Sequence, residues 1–162
     1  MKDLNDLFGA LLKDVLHAER QAVRVLPGLV RRVGDSALKE ALEAHHRETV
    51  TQAERLERIF ALLGRIPRAE TCEAIQGLVD EARAVTEDAG DADTRDAGVL
   101  AAAQAIEHYE IARYGTLAAW AEELGMDEAA GLLRLTLDEE KRADALLSGI
   151  ARQRINRKAR AA

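Results

Sequence analysis

Six acidic side chains interrupt apolar helical stripes, and they are the residues in this chain best placed to do chemistry. Continuing by threes and fours from Leu11 and Val15 leads to Glu19 before Ala22. The series Leu38, Leu42, His45, Glu48, Gln52, Leu56, Ile59 and Leu63 carries three polar residues in succession. Ala103, Glu107, Glu110, Tyr114, Leu117 and Ala121 share another face, as do Leu133, Leu137, Glu140, Asp144, Leu147 and Ala151. Burying lone carboxylates is costly, and several together repel and favour their protonated forms. Two divalent or trivalent cations per chain remove that conflict. Carboxylate oxygens with one imidazole suit iron or manganese, with zinc a further candidate. Glu19, His45, Glu48, Glu107, Glu110, Glu140 and Asp144 are therefore the candidate metal ligands.

The elements that must position these groups are long helices. One apolar segment runs from about Asp3 to Val33, with a kink or short break expected at Pro27-Gly28. Gly34-Asp35-Ser36 reads as a turn with Asp35 or Ser36 as the next N-cap, and the second helix reaches Leu63. A shorter helix, about Glu73 to Glu87, belongs to a connection that carries the chain along the bundle. The third long helix covers about Thr94 to Leu124, and the fourth runs from Asp127 to Arg152 or a little beyond. Two long hairpins joined by a long crossover form the ferritin-like four-helix plan. The expected fold class is all-α.

Height along the bundle tests whether the polar groups can meet. Glu19 and Glu48 are each about fifteen residues from the first turn on antiparallel helices, hence at nearly one level. Glu110 and Glu140 match about the second turn in the same way, and Glu107 and Asp144 match one turn further out. Dinuclear carboxylate bundles take one Glu from each of two helices and a Glu-x-x-His from each of the other two. Here none of the inward-facing glutamates is followed three residues later by His. His45 instead precedes Glu48 by three and could ligate from the opposite side. The competing reading is a buried, partly protonated polar layer that sets bundle register.

Composition bounds the rest. The chain has 162 residues, 48% hydrophobic and 32% charged, with 3% aromatic. This is one globular helical domain, expected over residues 1–156, with 157–162 as a basic, flexible tail. The charge sum of 23 basic and 29 acidic residues is -6, which argues against nucleic acid or an anionic membrane as a partner. Arg152, Arg154, Arg157, Lys158 and Arg160 depart from that average and read as a solvated helix end, with a DNA contact as the alternative. Cys72 is the sole cysteine, so no intrachain disulfide forms. No secretory signal and no apolar run of membrane length is visible, so a cytoplasmic location is expected. His17, His46 and His108 fall beside the inward stripe, and Glu54, Glu57, Glu122, Glu123 and Glu139 read as solvated charge.

The chain resembles the YciF/YciE-type ferritin-like proteins of bacteria, a family associated with stress responses. The resemblance spans about Asp3 to Asn156. It is most specific over Ala101 to Gly125, through Gln104, Glu107-His108-Tyr109-Glu110 and Tyr114-Gly115-Thr116. Ala18-Glu19-Arg20-Gln21, Cys72-Glu73-Ala74-Ile75-Gln76-Gly77-Leu78 and Leu137-Asp138-Glu139-Glu140-Lys141 support it. It implies a ferritin-like bundle with a crossover helix, a homodimer, and a dinuclear centre drawn from the acidic residues above and His45. Gln52 stands where some relatives have histidine, a departure from a conventional di-iron set. Two functions remain open at this point: redox chemistry on a small oxidant such as oxygen or peroxide, or a non-enzymatic stress-induced dimer acting through protein partners. A DNA-protecting cage is a weaker third.

Overall fold

The computed structural model describes residues 1–161, and they form helices joined by short connections. Helix α1 spans Leu4–Arg32, α2 Ser36–Leu62, α3 Glu73–Asp88, α4 Ala92–Glu123 and α5 Asp127–Ile150. A π-helical turn, Ala151–Ile155, leads into a last short helix, α6, Asn156–Ala161. No strand occurs among the described residues.

Several boundaries have a local cause. The Asp3 side chain accepts from the Asp6 amide, Asp35 from the Ala37 and Leu38 amides, and Asp91 from the Thr94 amide. These N-caps satisfy amides that the helix itself cannot. Gly64 and Gly125 end α2 and α4 in the left-handed region, with φ of 63° and 69°. At Gly34 the stop works differently. Val33 is extended, and the Asp96 carboxylate accepts from the Gly34 and Asp35 amides at 2.9 and 2.7 Å.

The expected break at Pro27 does not occur; α1 runs through it. Proline has no amide hydrogen, so the Val23 carbonyl four residues earlier lacks its helical donor. His46 of α2 supplies one: its Nε2 lies 3.1 Å from that oxygen. A neighbouring helix repairs the gap.

Four helices close a ring in which α1 packs on α2 and α4, and α5 on α2 and α4. Asp96, near the start of α4, holds the α1–α2 turn, so the chain returns along the bundle before α4 begins. All ring neighbours are therefore antiparallel. Helix α3 performs the return, packing Ile75 and Val79 against Ala18 and Ile106. No described helix is long and apolar enough to cross a membrane.

The C-terminal residues depart from the expectation of a flexible tail. Asn156–Ala161 are helical, and Lys158 and Arg154 place their cationic groups 2.9 and 3.0 Å from the Asp35 carboxylate. Ile155 is buried beside them. Ala162 lies outside the described residues.

Two apolar clusters fill the bundle. One gathers Phe8, Leu12, Leu16, Leu56, Phe60, Leu117 and Leu133, and the other Leu26, Leu38, Leu42, Val99 and Leu147. Between them the core is polar.

Candidate metal centre

That polar layer is built from all four ring helices. Glu19 comes from α1; His45, Thr49 and Gln52 from α2; Glu107 and Glu110 from α4; Thr136 and Glu140 from α5. All are buried, and Glu19, Gln52, Glu110 and Glu140 have no measurable exposure. His45, Glu107, Glu110 and Glu140 converge most closely: one ligand atom from each lies within 4.8 Å of all the others. His45 Nε2 is 3.0 Å from a Glu107 oxygen.

Glu19 stands beside this group. Tyr114, fully buried one turn beyond Glu110, donates its hydroxyl to one Glu19 oxygen. The other Glu19 oxygen has no partner. Neither do Gln52 Oε1, His45 Nδ1, one oxygen of Glu107, nor either oxygen of Glu110 and Glu140. Buried polar atoms are almost always bonded, so this concentration demands ions, protons or water.

Electrostatics agree. Burial pushes the carboxyls of Glu19, Glu107 and Glu110 well above the usual carboxylate range. Neighbouring carboxylates push the same way, Glu140 among them in every case. Burial likewise raises the Tyr114 phenol, which keeps it a hydrogen-bond donor to Glu19.

A clamp on the α2–α5 side fixes the orientation of Gln52. Arg55 donates twice to Glu139, at 2.6 and 2.7 Å, and once to Thr136 Oγ1 at 2.9 Å. Gln52 Nε2 donates to the same Glu139 carboxylate at 3.2 Å. With its nitrogen held there, the amide presents its bare oxygen Oε1 to the buried layer. Burial would raise Glu139, but the bonds from Arg55 and Gln52 outweigh it and lower the carboxyl. Reading Glu139 as solvated charge therefore misses its role. The available signal was the pair of three-residue spacings, Gln52 to Arg55 and Thr136 to Glu139, on facing helices.

Of the seven candidate ligands, five enter the layer: Glu19, His45, Glu107, Glu110 and Glu140. Glu48 does not. Its side chain is 45% exposed, 3.9 Å from His45 Nδ1, and Thr49 takes the inward place. Two successive three-residue steps, Leu42 to His45 to Glu48, turn the face by about 120°. The four-residue step from His45 to Thr49 recentres it.

Asp144 also stands apart, 22% exposed, accepting from Gln104 Nε2 at 2.9 Å and facing His108 Nε2 at 3.2 Å. It lies about one turn beyond Glu140 on the α4–α5 seam.

The remaining histidines lie outside the layer. His17 Nδ1 accepts from the Cys72 amide at 3.2 Å, and His46 caps Val23. Cys72 is buried at the start of α3, its Sγ 2.9 Å from the Tyr109 hydroxyl.

The donor set fits a metal. Three carboxylates and one imidazole converge, unpaired by any buried cationic side chain of their own cluster, and the Gln52 amide oxygen is buried without a partner on the same helix as His45. Hard oxygen donors with a single nitrogen match iron or manganese better than copper.

The family described as a domain of unknown function, DUF892, matches residues 3–160. Protein YciF of Escherichia coli (strain K12) is 42% identical over 160 residues, covering 98% of this chain and 96% of that protein. The crystal structure of the E. coli stress protein YciF matches with a TM-score of 0.91, covering 96% of this chain and 99% of that one. YcfI from Rhodopseudomonas palustris matches with a TM-score of 0.89 at 42% identity, over 91% and 94% of the two chains. A protein from Xanthomonas campestris pv. campestris is more distant, with a TM-score of 0.70 at 25% identity over 91% and 90%. A family match over nearly the whole chain, joined to this identity, means that the protein belongs to the DUF892 family and is a homologue of the bacterial stress protein YciF.

Proposed function

We propose that the buried layer is a metal centre for iron or manganese, and that the protein serves the stress response through it. The observation that carries this reading is the convergence of His45, Glu107, Glu110 and Glu140, with their neighbours' unpartnered atoms, inside an otherwise apolar core. His45, Glu107, Glu110 and Glu140 would hold an ion directly. Glu19 and the Gln52 amide oxygen would complete a second position. When bound, such ions supply two-electron chemistry toward a small oxidant, suited to oxidising ferrous iron or disposing of peroxide.

The protein's own residues set the conditions for that chemistry. The two apolar clusters exclude bulk water above and below the layer, which strengthens every electrostatic interaction within it. Tyr114 orients Glu19 by its hydrogen bond, and the Arg55–Glu139 pair orients Gln52. The raised carboxyls of Glu19, Glu107 and Glu110 hold protons until a cation takes their place. A homodimer in the cytoplasm is the setting we propose.

Elemental analysis of protein supplied with iron and manganese tests this directly. About one to two ions per chain, lost in Glu107→Gln, Glu140→Gln, is the expected result. Metal-free wild type that stays folded would overturn it.

One observation favours a second reading. The Tyr114–Glu19 bond and the Arg55–Glu139–Gln52 clamp are complete without any ion. A protonated layer could then fix bundle register in a non-enzymatic protein that acts through partners. In that case the Glu107→Gln, Glu140→Gln variant would keep full activity in stressed cells.

A further inference from the structure

A cavity of about 120 Å³ opens in the seam between α2 and α5, with His45 in its wall. Ala44 and Ala143 form its sides, and their lack of side-chain bulk is what leaves the seam open. Glu48 and Arg142 stand among its lining residues, both reaching solvent. The volume has room for about four water molecules. Larger clefts beside Gly28 and beside Val23 have no residue of the buried cluster in their walls.

His45 joins this cavity to the core. Its ring is 6% exposed, with Nε2 3.0 Å from Glu107 inside the layer. Its Nδ1 is buried without a hydrogen-bond partner, 3.9 Å from the Glu48 carboxylate outside. One ring thus has one face on each side of the wall.

We propose that this seam is the route by which a divalent cation reaches the buried carboxylates, with Glu48 as the acceptor at its mouth. The inference rests on the metal reading above and adds to it the path and the residue that serves it. Glu48 is too exposed to belong to the buried set, yet it is the carboxylate nearest the outer face of His45. An exposed carboxylate raises the local concentration of cations at the mouth. Arg142 on the same rim opposes them. Passage beyond the rim requires space, which the two alanines provide, and an unoccupied donor on the way in, which His45 Nδ1 supplies.

The test is the rate of Co²⁺ uptake by the metal-free full chain, followed by visible absorption after rapid mixing, with final metal content measured separately. Glu48→Gln should slow uptake about fivefold at low salt, and less at high salt, with unchanged final content. Arg142→Gln should speed it about twofold. Ala143→Leu, which fills the seam, should slow it again, whereas Ala105→Leu on the α3–α4 face should not.

Unchanged rates in both Glu48→Gln and Ala143→Leu would overturn the route. A loss of final content in Glu48→Gln would overturn it differently, by making Glu48 a ligand. No uptake by the wild type would instead sink the metal reading, and the route with it. Each result separates the two ideas.

Discussion

The imidazole of His46 reaches across from α2 to the Val23 carbonyl of α1, 3.1 Å away, and occupies the place that Pro27 leaves without a donor. A proline inside a helix ordinarily costs a hydrogen bond and invites a kink. Here the donor comes from the facing helix, so the repair also ties α1 to α2. His46→Ala should destabilise the protein by about 1–2 kcal/mol, because the carbonyl is then left without a partner. Pro27→Ala restores the helical amide, so the double variant should recover most of that loss. Urea midpoints of the four proteins in the cycle measure it, and additive effects would show that the two residues are not coupled.

Asp35 makes stability depend on acid. Its carboxyl, held by Lys158, by the Leu38 amide and by Arg154, is lowered to about 2. A lowered folded pKa stabilises above the unfolded value and is lost as pH falls through the folded one. The interaction should therefore contribute about 2 kcal/mol above pH ~4 and disappear toward pH ~2. Truncation after Asn156 removes Lys158, and should raise the pH midpoint of acid unfolding, read by circular dichroism.

The buried carboxyls have the opposite sign. Glu19, Glu107 and Glu110 are raised in the folded protein, so their contribution is complete below the unfolded pKa and declines as pH rises through the folded ones. Metal-free protein in chelator should thus melt at lower temperature at pH 8 than at pH 5. Glu110→Gln should lessen that decline while weakening metal uptake. Added Mn²⁺ should raise the melting temperature most at the higher pH, where cations no longer compete with protons.

Breaking the Arg55–Glu139 pair leaves a mostly buried carboxylate without its cation. Arg55→Met should cost about 3 kcal/mol. It also releases the Gln52 amide from its fixed orientation. The double variant Arg55→Met, Glu139→Met should be more stable than Arg55→Met alone, since no orphan charge remains. Thermal unfolding of both proteins gives the comparison.

The legibility of the site in the sequence differed from helix to helix. On α4 the whole inward face from Ala103 through Glu107, Glu110 and Tyr114 to Ala121 is buried as its spacing predicts. That helix contacts α1, α3 and α5, so a wide stripe is covered and small errors of rotation do not matter. On α2 the stripe is narrower, and Thr49 displaced Glu48. On α5 turn counting placed Asp144 one turn beyond Glu140, level with Glu107, but Asp144 lies on the α4–α5 seam, 22% exposed, while Glu107 is buried.

What the sequence determined by itself was the all-helical fold, the two hairpins, and the mid-height polar residues that an apolar core would not otherwise contain. Helix propensity, capping residues and apolar spacing act locally, so they are readable one segment at a time. Only the tertiary structure decided which polar residues meet. The rotation of each helix about its axis depends on the helices it faces, and the joining of Gln52 to Glu139, or of His46 to Val23, is set by that rotation. The same holds for the C-terminal cations, whose partner Asp35 lies more than a hundred residues earlier. Pairings of that range follow from how the bundle closes, which no single helix encodes.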